Sequence, residues 1–232
     1  MSMKLQAKVI GRIQETPDVV TIRFTVDGCT LDHIAGQYIT VYFDDTDIKQ
    51  GKAYSISSTP GGDSSSITVK KIGLFSDKLH SLKVGDSFTI SQPYGFFYAH
   101  RNKPIIAIAA GVGIAPIWSI IGHEAITNKA DQPIKLLYTN KTADDIVFKK
   151  AIDGLVVDHD NITAQYFTTH QSESPYTKRR IVVSKDIVDQ SGSNGYYVCG
   201  SQDFVRSIWH QLVEAGINED LISTETFFES WN

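Results

Sequence analysis

Short runs rich in β-branched and aromatic residues recur through the first hundred positions: VVTIRFTV at 19–26, QYITVYF at 37–43, KAYSIS at 52–57, SSITVKKI at 65–72 and DSFTIS at 86–91. Turn formers separate them, namely Gly28, Gly36, Gly51, Pro60-Gly61-Gly62 and Gly85. Short strands punctuated in this way predict an antiparallel β-barrel or sandwich. The stretch 76–82 is the one helical interruption, with Ser76 placed to act as its N-cap.

Near residue 100 the pattern changes. Apolar runs at 104–110, 133–139, 162–168, 195–200 and 221–228 now alternate with amphipathic or capped segments at 114–128, 143–151, 184–190 and 202–215. That alternation predicts a parallel sheet with helices on both faces, a Rossmann-like α/β domain. The polar segment 171–178 reads as a surface loop. Two domains are therefore expected, 1–100 and 101–232, and 232 residues with 41% apolar content are enough for two cores.

Composition narrows the function classes. A net charge of -4 with no long basic run argues against a nucleic-acid partner. No apolar segment approaches the ~20 residues needed to cross a bilayer, and the N-terminus lacks a signal-peptide pattern, so a cytoplasmic, monomeric protein is expected. Two cysteines, Cys29 and Cys199, are too few for a cysteine-ligated iron–sulfur cluster, and the seven histidines show no metal-ligand spacing. No metal site is expected.

The segment Gly111-Val112-Gly113-Ile114-Ala115-Pro116 follows an apolar strand and opens a helix. Two glycines let a ligand approach the backbone, and the helix start offers free N–H groups and a positive dipole end, which suit a pyrophosphate. Pro116 is tolerated in the first turn, where no hydrogen bond is lost. Cys199-Gly200-Ser201 stands at the carboxyl end of a later strand, where open α/β sheets place ligands.

These motifs, with Lys52-Ala53-Tyr54-Ser55 before them, occur in an order that resembles the ferredoxin–NADP reductase superfamily of flavoenzymes over nearly the whole chain. The resemblance implies FAD on the barrel and NAD(P)H on the α/β domain. The family pattern Arg-x-Tyr-Ser implies that Lys52 meets the FAD pyrophosphate, Tyr54 packs on the flavin ring and Ser55 bonds near its N5 nitrogen. Lysine in place of arginine keeps the charge and loses the two-pronged geometry. Thr68-Val69-Lys70 and Gly73-Leu74-Phe75-Ser76 match the next flavin-binding strand and the family's phosphate turn, and Pro93-Tyr94-Gly95 resembles its turn at the end of the barrel.

In the same way Cys199 and Gly200 are implied to lie near the nicotinamide, and Arg180 near the adenosine phosphate or ribose. Glu225-Thr226-Phe227 matches the family's terminal Glu-x-aromatic, an acid at the reactive flavin edge and a ring that covers its face. Glu229 and Trp231 offer a competing register. Ser55, Cys199, Glu225 and Phe227 are thus the expected catalytic set. Because no acid stands at the end of the 162–168 strand, the reading leans toward NADPH.

The expected reaction is hydride transfer from NAD(P)H, with electrons passed singly to a separate ferredoxin, flavodoxin or other redox protein. The alternative is an NAD(P)H:flavin reductase that uses free FMN, FAD or riboflavin as substrate, which Lys52 favours. A regulatory subunit of the same fold that carries an iron–sulfur cluster would need a cysteine cluster, and the chain has none.

Overall fold

A computed structural model describes residues 4–44, 48–98, 103–127, 132–170, 173–187 and 194–227. Six strands, β1 (Leu5–Thr16), β2 (Val19–Val26), β3 (Tyr38–Tyr42), β4 (Lys52–Ser55), β5 (Ser65–Lys70) and β6 (Ser87–Ile90), pair antiparallel in the order β4-β3-β6-β1-β2-β5. The bridge Ile56–Ile67 and the bond from Ser57 N–H to the Ser66 carbonyl (2.8 Å) bring the two edges together, so the sheet closes as a barrel. Its interior is packed by alternate residues such as Ile22, Phe24, Ile39, Val41, Ile67 and Phe88. Helix α1 (Leu74–Ser81) adds Phe75 and Leu79 to that core.

The strand pattern predicts all of these strands except β1. That strand has register shifts at Val9/Gly11 and Gln14/Thr16, so its apolar residues do not keep a period of two. The N-cap of α1 is Gly73 and not Ser76. Ser76 stands at the third helical position and reaches back: its Oγ accepts from the N–H groups of Ile72 and Gly73 (2.9 and 3.0 Å) and donates to the Gly73 carbonyl (2.8 Å).

The second half forms a wholly parallel sheet, β7 (Ile105–Ala110), β8 (Ile134–Asn140), β9 (Ile162–Thr168), β10 (Gly195–Ser201) and β11 (Ile222–Phe227), in the order β11-β10-β7-β8-β9. Helices α2 (Ile114–Thr127), α3 (Lys149–Asp158), α4 (Val183–Asp186) and α5 (Gln202–Glu214) cover it. Alternate residues of β7 serve the two faces. Ile105, Ala107 and Ala109 pack with Ile117, Ile120 and Ile152, whereas Ile106 and Ile108 pack with Val183, Val205, Ile208 and Leu212.

Two helical expectations shift. The expected helix at 143–151 is a 3-10 turn at Ala143–Asp145 followed by α3, because Phe148 adopts the left-handed conformation (φ 60°) between them. Of the expected helix at 184–190, α4 covers Val183–Asp186, and positions 188–190 lie outside the described residues.

The domains meet on α2. Ser119 Oγ donates to the Ser58 carbonyl (2.6 Å), and Thr59 fills the space above Gly122, where an added Cβ would lie 2.6 Å from Thr59 Oγ1. The turn Gly111–Gly113 packs equally closely on β10. A Cβ on Gly113 would sit 2.4 Å from the Cys199 carbonyl oxygen, a backbone atom that cannot rotate away.

Gly113→Ala is therefore expected to lower stability by about 1–3 kcal/mol through overpacking. Gly154→Ala, on α3 with open space around it, is expected to raise stability by up to about 1 kcal/mol. Thermal melting of both variants beside the parent checks the pair.

Candidate functional site

The order of the second sheet reverses between β7 and β10, the position at which open α/β sheets bind ligands beyond the carboxyl ends of their strands. Gly111–Gly113 and Cys199-Gly200 stand there side by side. Gly111 is left-handed (φ 52°) and nothing lies within 4 Å of where its Cβ would be, so the outer face of this turn is open to a ligand. Its carbonyl accepts from the buried Tyr138 hydroxyl (2.9 Å). The two glycines thus differ: Gly111 leaves room for a ligand, and Gly113 leaves room for β10. Ile114 and Pro116 are buried in the first turn of α2, so what the helix presents outward at that end is backbone.

Gly200 is held just as tightly, since a Cβ would meet the Phe204 ring at 2.8 Å and Ala110 Cβ at 2.9 Å. Ser201 caps α5 by accepting from Phe204 N–H (3.4 Å).

The barrel supplies the other wall. Ser55, at the end of β4, is buried, and its Oγ donates to Glu225 Oε1 at 2.9 Å across the domain junction. Glu225 pairs in register with Cys199 on the neighbouring strand. The three expected residues Ser55, Glu225 and Cys199 therefore come together from positions far apart in sequence. Phe227, two residues on, is half-buried against the same core. Glu229 and Trp231, which carry the competing register, lie outside the described residues.

Burial dominates the electrostatics of this cluster. It pushes the Glu225 carboxyl up to about 7, against the smaller opposing effect of the Ser55 hydrogen bond. Cys199 is fully buried, and its thiol is held well above the usual range, first by burial and then by the neighbouring Glu225 charge. A thiolate nucleophile is disfavoured in such surroundings. The second carboxyl oxygen of Glu225 is buried and has no hydrogen-bond partner among the described residues.

Around the rest of β4, Tyr54 stacks on Phe75 (centroids 6.3 Å, interplanar 20°), and Lys52 Nζ lies 5.8 Å from the same ring. Ala53 is exposed. Thr68 has its hydroxyl committed inward, bonded to Thr21 and Ser57 (2.9 Å each), and the Val69 side chain is in the core. Lys70 pairs with Asp18 (3.3 Å). Gly73 has open space around it, and Leu74 is 89% exposed. Beyond β9, Arg180 is exposed, while Arg179 is clamped by Asp186 (2.7 and 2.5 Å) over the Phe167 ring.

Residues that the sequence did not single out join the site at the end of β8. Asn140 is 94% buried, and neither atom of its amide, nor the Thr139 hydroxyl, has a partner among the described residues. Buried polar atoms without partners carry a desolvation cost and mark places where a ligand can supply the missing bonds. Together with the open turn at Gly111 and the unpartnered Glu225 oxygen, they fit a polar cofactor laid along the carboxyl edge of the sheet.

Comparison with known proteins agrees. Residues 6–98 match the oxidoreductase FAD-binding domain family and residues 107–210 match the oxidoreductase NAD-binding domain family. The flavohemoprotein of Vibrio cholerae is 28% identical over 211 residues, covering 86% of this chain and 52% of that protein. The 2-halobenzoate 1,2-dioxygenase electron transfer component of Burkholderia cepacia is 28% identical over 209 residues, covering 85% of this chain and 60% of its own. The crystal structure of the flavohem-like FAD/NAD-binding domain of nitric oxide dioxygenase from Vibrio cholerae superposes with a TM-score of 0.87 at 26% identity, covering 96% of this chain and 98% of that one.

The chain belongs to the ferredoxin–NADP reductase superfamily of two-domain oxidoreductases that bind FAD and a nicotinamide nucleotide. It spans little more than half the length of those two curated relatives.

The Glu225 pKa gives a signed prediction. Between about pH 4.5 and 7 the folded form keeps the Glu225 proton and the unfolded chain has released it, so stability falls as pH rises through that window. The fall amounts to about 3 kcal/mol at most. Glu225→Gln is expected to flatten this dependence and to be the more stable form at pH 8, as read by denaturant unfolding of the flavin-free protein at a series of pH values.

Proposed function

We propose that this chain is an FAD-dependent reductase that takes a hydride from NAD(P)H and passes electrons singly to a separate redox protein of the ferredoxin or flavodoxin kind. FAD supplies the conversion between two-electron and one-electron chemistry. The observation that carries the reading is the Ser55–Glu225 hydrogen bond across the domain junction, with Cys199 beside it. It sets a hydroxyl from the expected flavin strand against a carboxyl from the expected nicotinamide domain.

In this reading Lys52, Ala53, Tyr54 and Ser55 with Thr68, Val69 and Lys70 line the flavin, the side chain of Val69 staying in the core and its backbone making the contact. Gly73 to Ser76 form the phosphate turn through backbone groups, since the Ser76 hydroxyl is already committed to Ile72 and Gly73. Gly111, Val112 and Gly113, with Ile114 and Pro116 behind them, cradle the nicotinamide pyrophosphate. Cys199, Gly200 and Glu225 shape the nicotinamide pocket, and Phe227 covers the flavin face that the nicotinamide must reach. Asn140 joins the nucleotide site as a donor and acceptor. The protein's part is positioning and exclusion of water, with the proton on Glu225 held by burial.

NADPH is the proposed donor, supported by the absence of an acid at the end of β9 and by exposed Arg180 nearby. The ratio of kcat/KM for NADPH and NADH tests it. We further propose a monomer. The second reading, a reductase of free flavins, is favoured by Lys52, which lies over Phe75 without a two-pronged grip. The visible spectrum before and after desalting separates the two: a yellow protein with stoichiometric FAD supports the first, and a colourless one that consumes added flavin supports the second.

Ser55→Ala is expected to slow flavin reduction roughly a hundredfold, about 3 kcal/mol at the transition state, while FAD affinity changes little. Stopped-flow reduction at saturating NAD(P)H reads it, and unchanged reduction with FAD lost on desalting would overturn the assignment. Lys52→Arg is expected to tighten FAD and leave riboflavin unaffected, because only FAD carries the pyrophosphate. Equilibrium titration of the apoprotein with both ligands is the check.

A further inference from the structure

A second cavity of about 610 Å³ lies between strands β1 and β2 of the barrel and helices α2 and α3 of the parallel sheet. None of the residues that line it is assigned to FAD or the nicotinamide above, though Thr21 and Ser57 bond Thr68 from this side. One wall is aromatic: Trp118 of α2 and Phe148 at the start of α3 stack with centroids 5.6 Å apart and planes 27° from parallel. Phe148 holds this position in a left-handed conformation, φ 60° and ψ 17°. For a bulky aromatic residue that conformation costs on the order of 1–3 kcal/mol and persists only where the surroundings enforce it. Here the strain sets a half-buried ring on Trp118 at the cavity wall, where both rings border the core of the parallel-sheet domain.

The opposite wall is polar, and its Arg23 is exposed to solvent. The stem of Arg23 crosses Gly11, where an added Cβ would touch it at 3.6 Å, and its Nε and Nη2 both donate to Ser64 Oγ (3.1 and 3.0 Å). Its remaining terminal nitrogen makes no protein hydrogen bond among the described residues. Two residues back along the same face of β2, about 7 Å away, is Thr21, whose hydroxyl is bonded to Thr68 (2.9 Å), and Glu15 of β1 lines the cavity with it. Burial raises the Glu15 carboxyl, opposed by the Thr21 hydroxyl and the Phe148 N–H. The cavity thus has the Arg23 guanidinium and the Glu15 carboxyl on its barrel side, stacked rings on the facing side, and Lys149 and Lys150 of α3 also on its lining, the first of them paired with Asp153.

We propose that this cavity binds a planar aromatic anion, its negative group on Arg23, its ring against Trp118 and Phe148, and a hydroxyl at its far end on Glu15. A ring without a charge would lose the Arg23 contact, and a small anion without a ring would leave the aromatic wall uncovered. The volume suits a two-ring ligand within the ordinary range of small-molecule sites.

The test uses the whole chain saturated with FAD and NADP+, so that the site described above is filled. The probes are 6-hydroxy-2-naphthoate, 2-naphthoate and 2-naphthol, followed by probe fluorescence and calorimetry. The expected result is 1:1 binding of hydroxynaphthoate that NADP+ does not displace, with 2-naphthol about tenfold weaker. Arg23→Gln should weaken hydroxynaphthoate about tenfold and leave 2-naphthol unchanged. Trp118→Leu should weaken both.

Phe148→Gly keeps the left-handed turn without strain and removes the ring; it should fold, as thermal melting will show, and bind both probes severalfold less tightly. It stands in for Trp118→Leu should that variant unfold. Absence of saturable binding, displacement by NADP+, or affinity that survives both Arg23→Gln and Phe148→Gly overturns the proposal.

Discussion

Helix α2 is the part on which the rest of the site depends. The turn Gly111–Gly113 leads into it, and further along its Ser119 and Gly122 meet Ser58 and Thr59 of the barrel. Those barrel residues stand three and four positions after Ser55 in the chain. The placement of one helix therefore sets both the glycine turn and the height at which Ser55 meets Glu225. Such coupling needs close approach, which is why small residues recur where the parts touch: Gly113 on the Cys199 carbonyl, Gly200 against Phe204 and Gly122 under Thr59.

The second constraint is dielectric. A carboxylate with one hydrogen bond, buried beside a thiol, is poorly compensated for the water it has lost, and the proton is the cheapest remedy. The fold accepts a weakened junction near neutral pH to keep an acid there. Elsewhere the same chain solves the problem conventionally, as where Asp186 is buried and answered by both arms of Arg179 and by Val182 N–H, leaving its carboxyl below the ordinary range. The contrast between a satisfied structural acid and an unsatisfied one separates Glu225 from Asp186.

Most of the architecture was legible because it rests on local pattern. Strand β2 runs over the residues its apolar run predicts, and α2 and α5 begin where a glycine turn and a serine cap announce them. Strand β1 was not legible, because two bulges scatter its apolar positions over both faces. The helix expected at 143 is interrupted: Thr142 and Asp145 form a capping pair, but extended Ile146 ends that turn and left-handed Phe148 starts another helix. Ser76 misled in the opposite sense, since a serine can cap from inside the first turn. As for the site, the meeting of Ser55, Cys199 and Glu225 was expected from the family resemblance. Asn140 was not, because its significance lies in the bonds it fails to make, and a missing partner has no signature in one dimension.

The two thiols are unlike in a way that gives the experimenter a tool. Cys29 is exposed beside the bridge that ends β2, whereas Cys199 is sealed beneath Glu225 and disinclined to ionise. A maleimide or haloacetyl dye reacts with thiolates, so it will decorate the folded protein at Cys29 and spare Cys199. The unaltered sequence thus carries a single covalent attachment point on the barrel, far along the chain from the sheet. A fluorophore placed there can report, by energy transfer to a nucleotide analogue, how the two halves of the molecule move against each other.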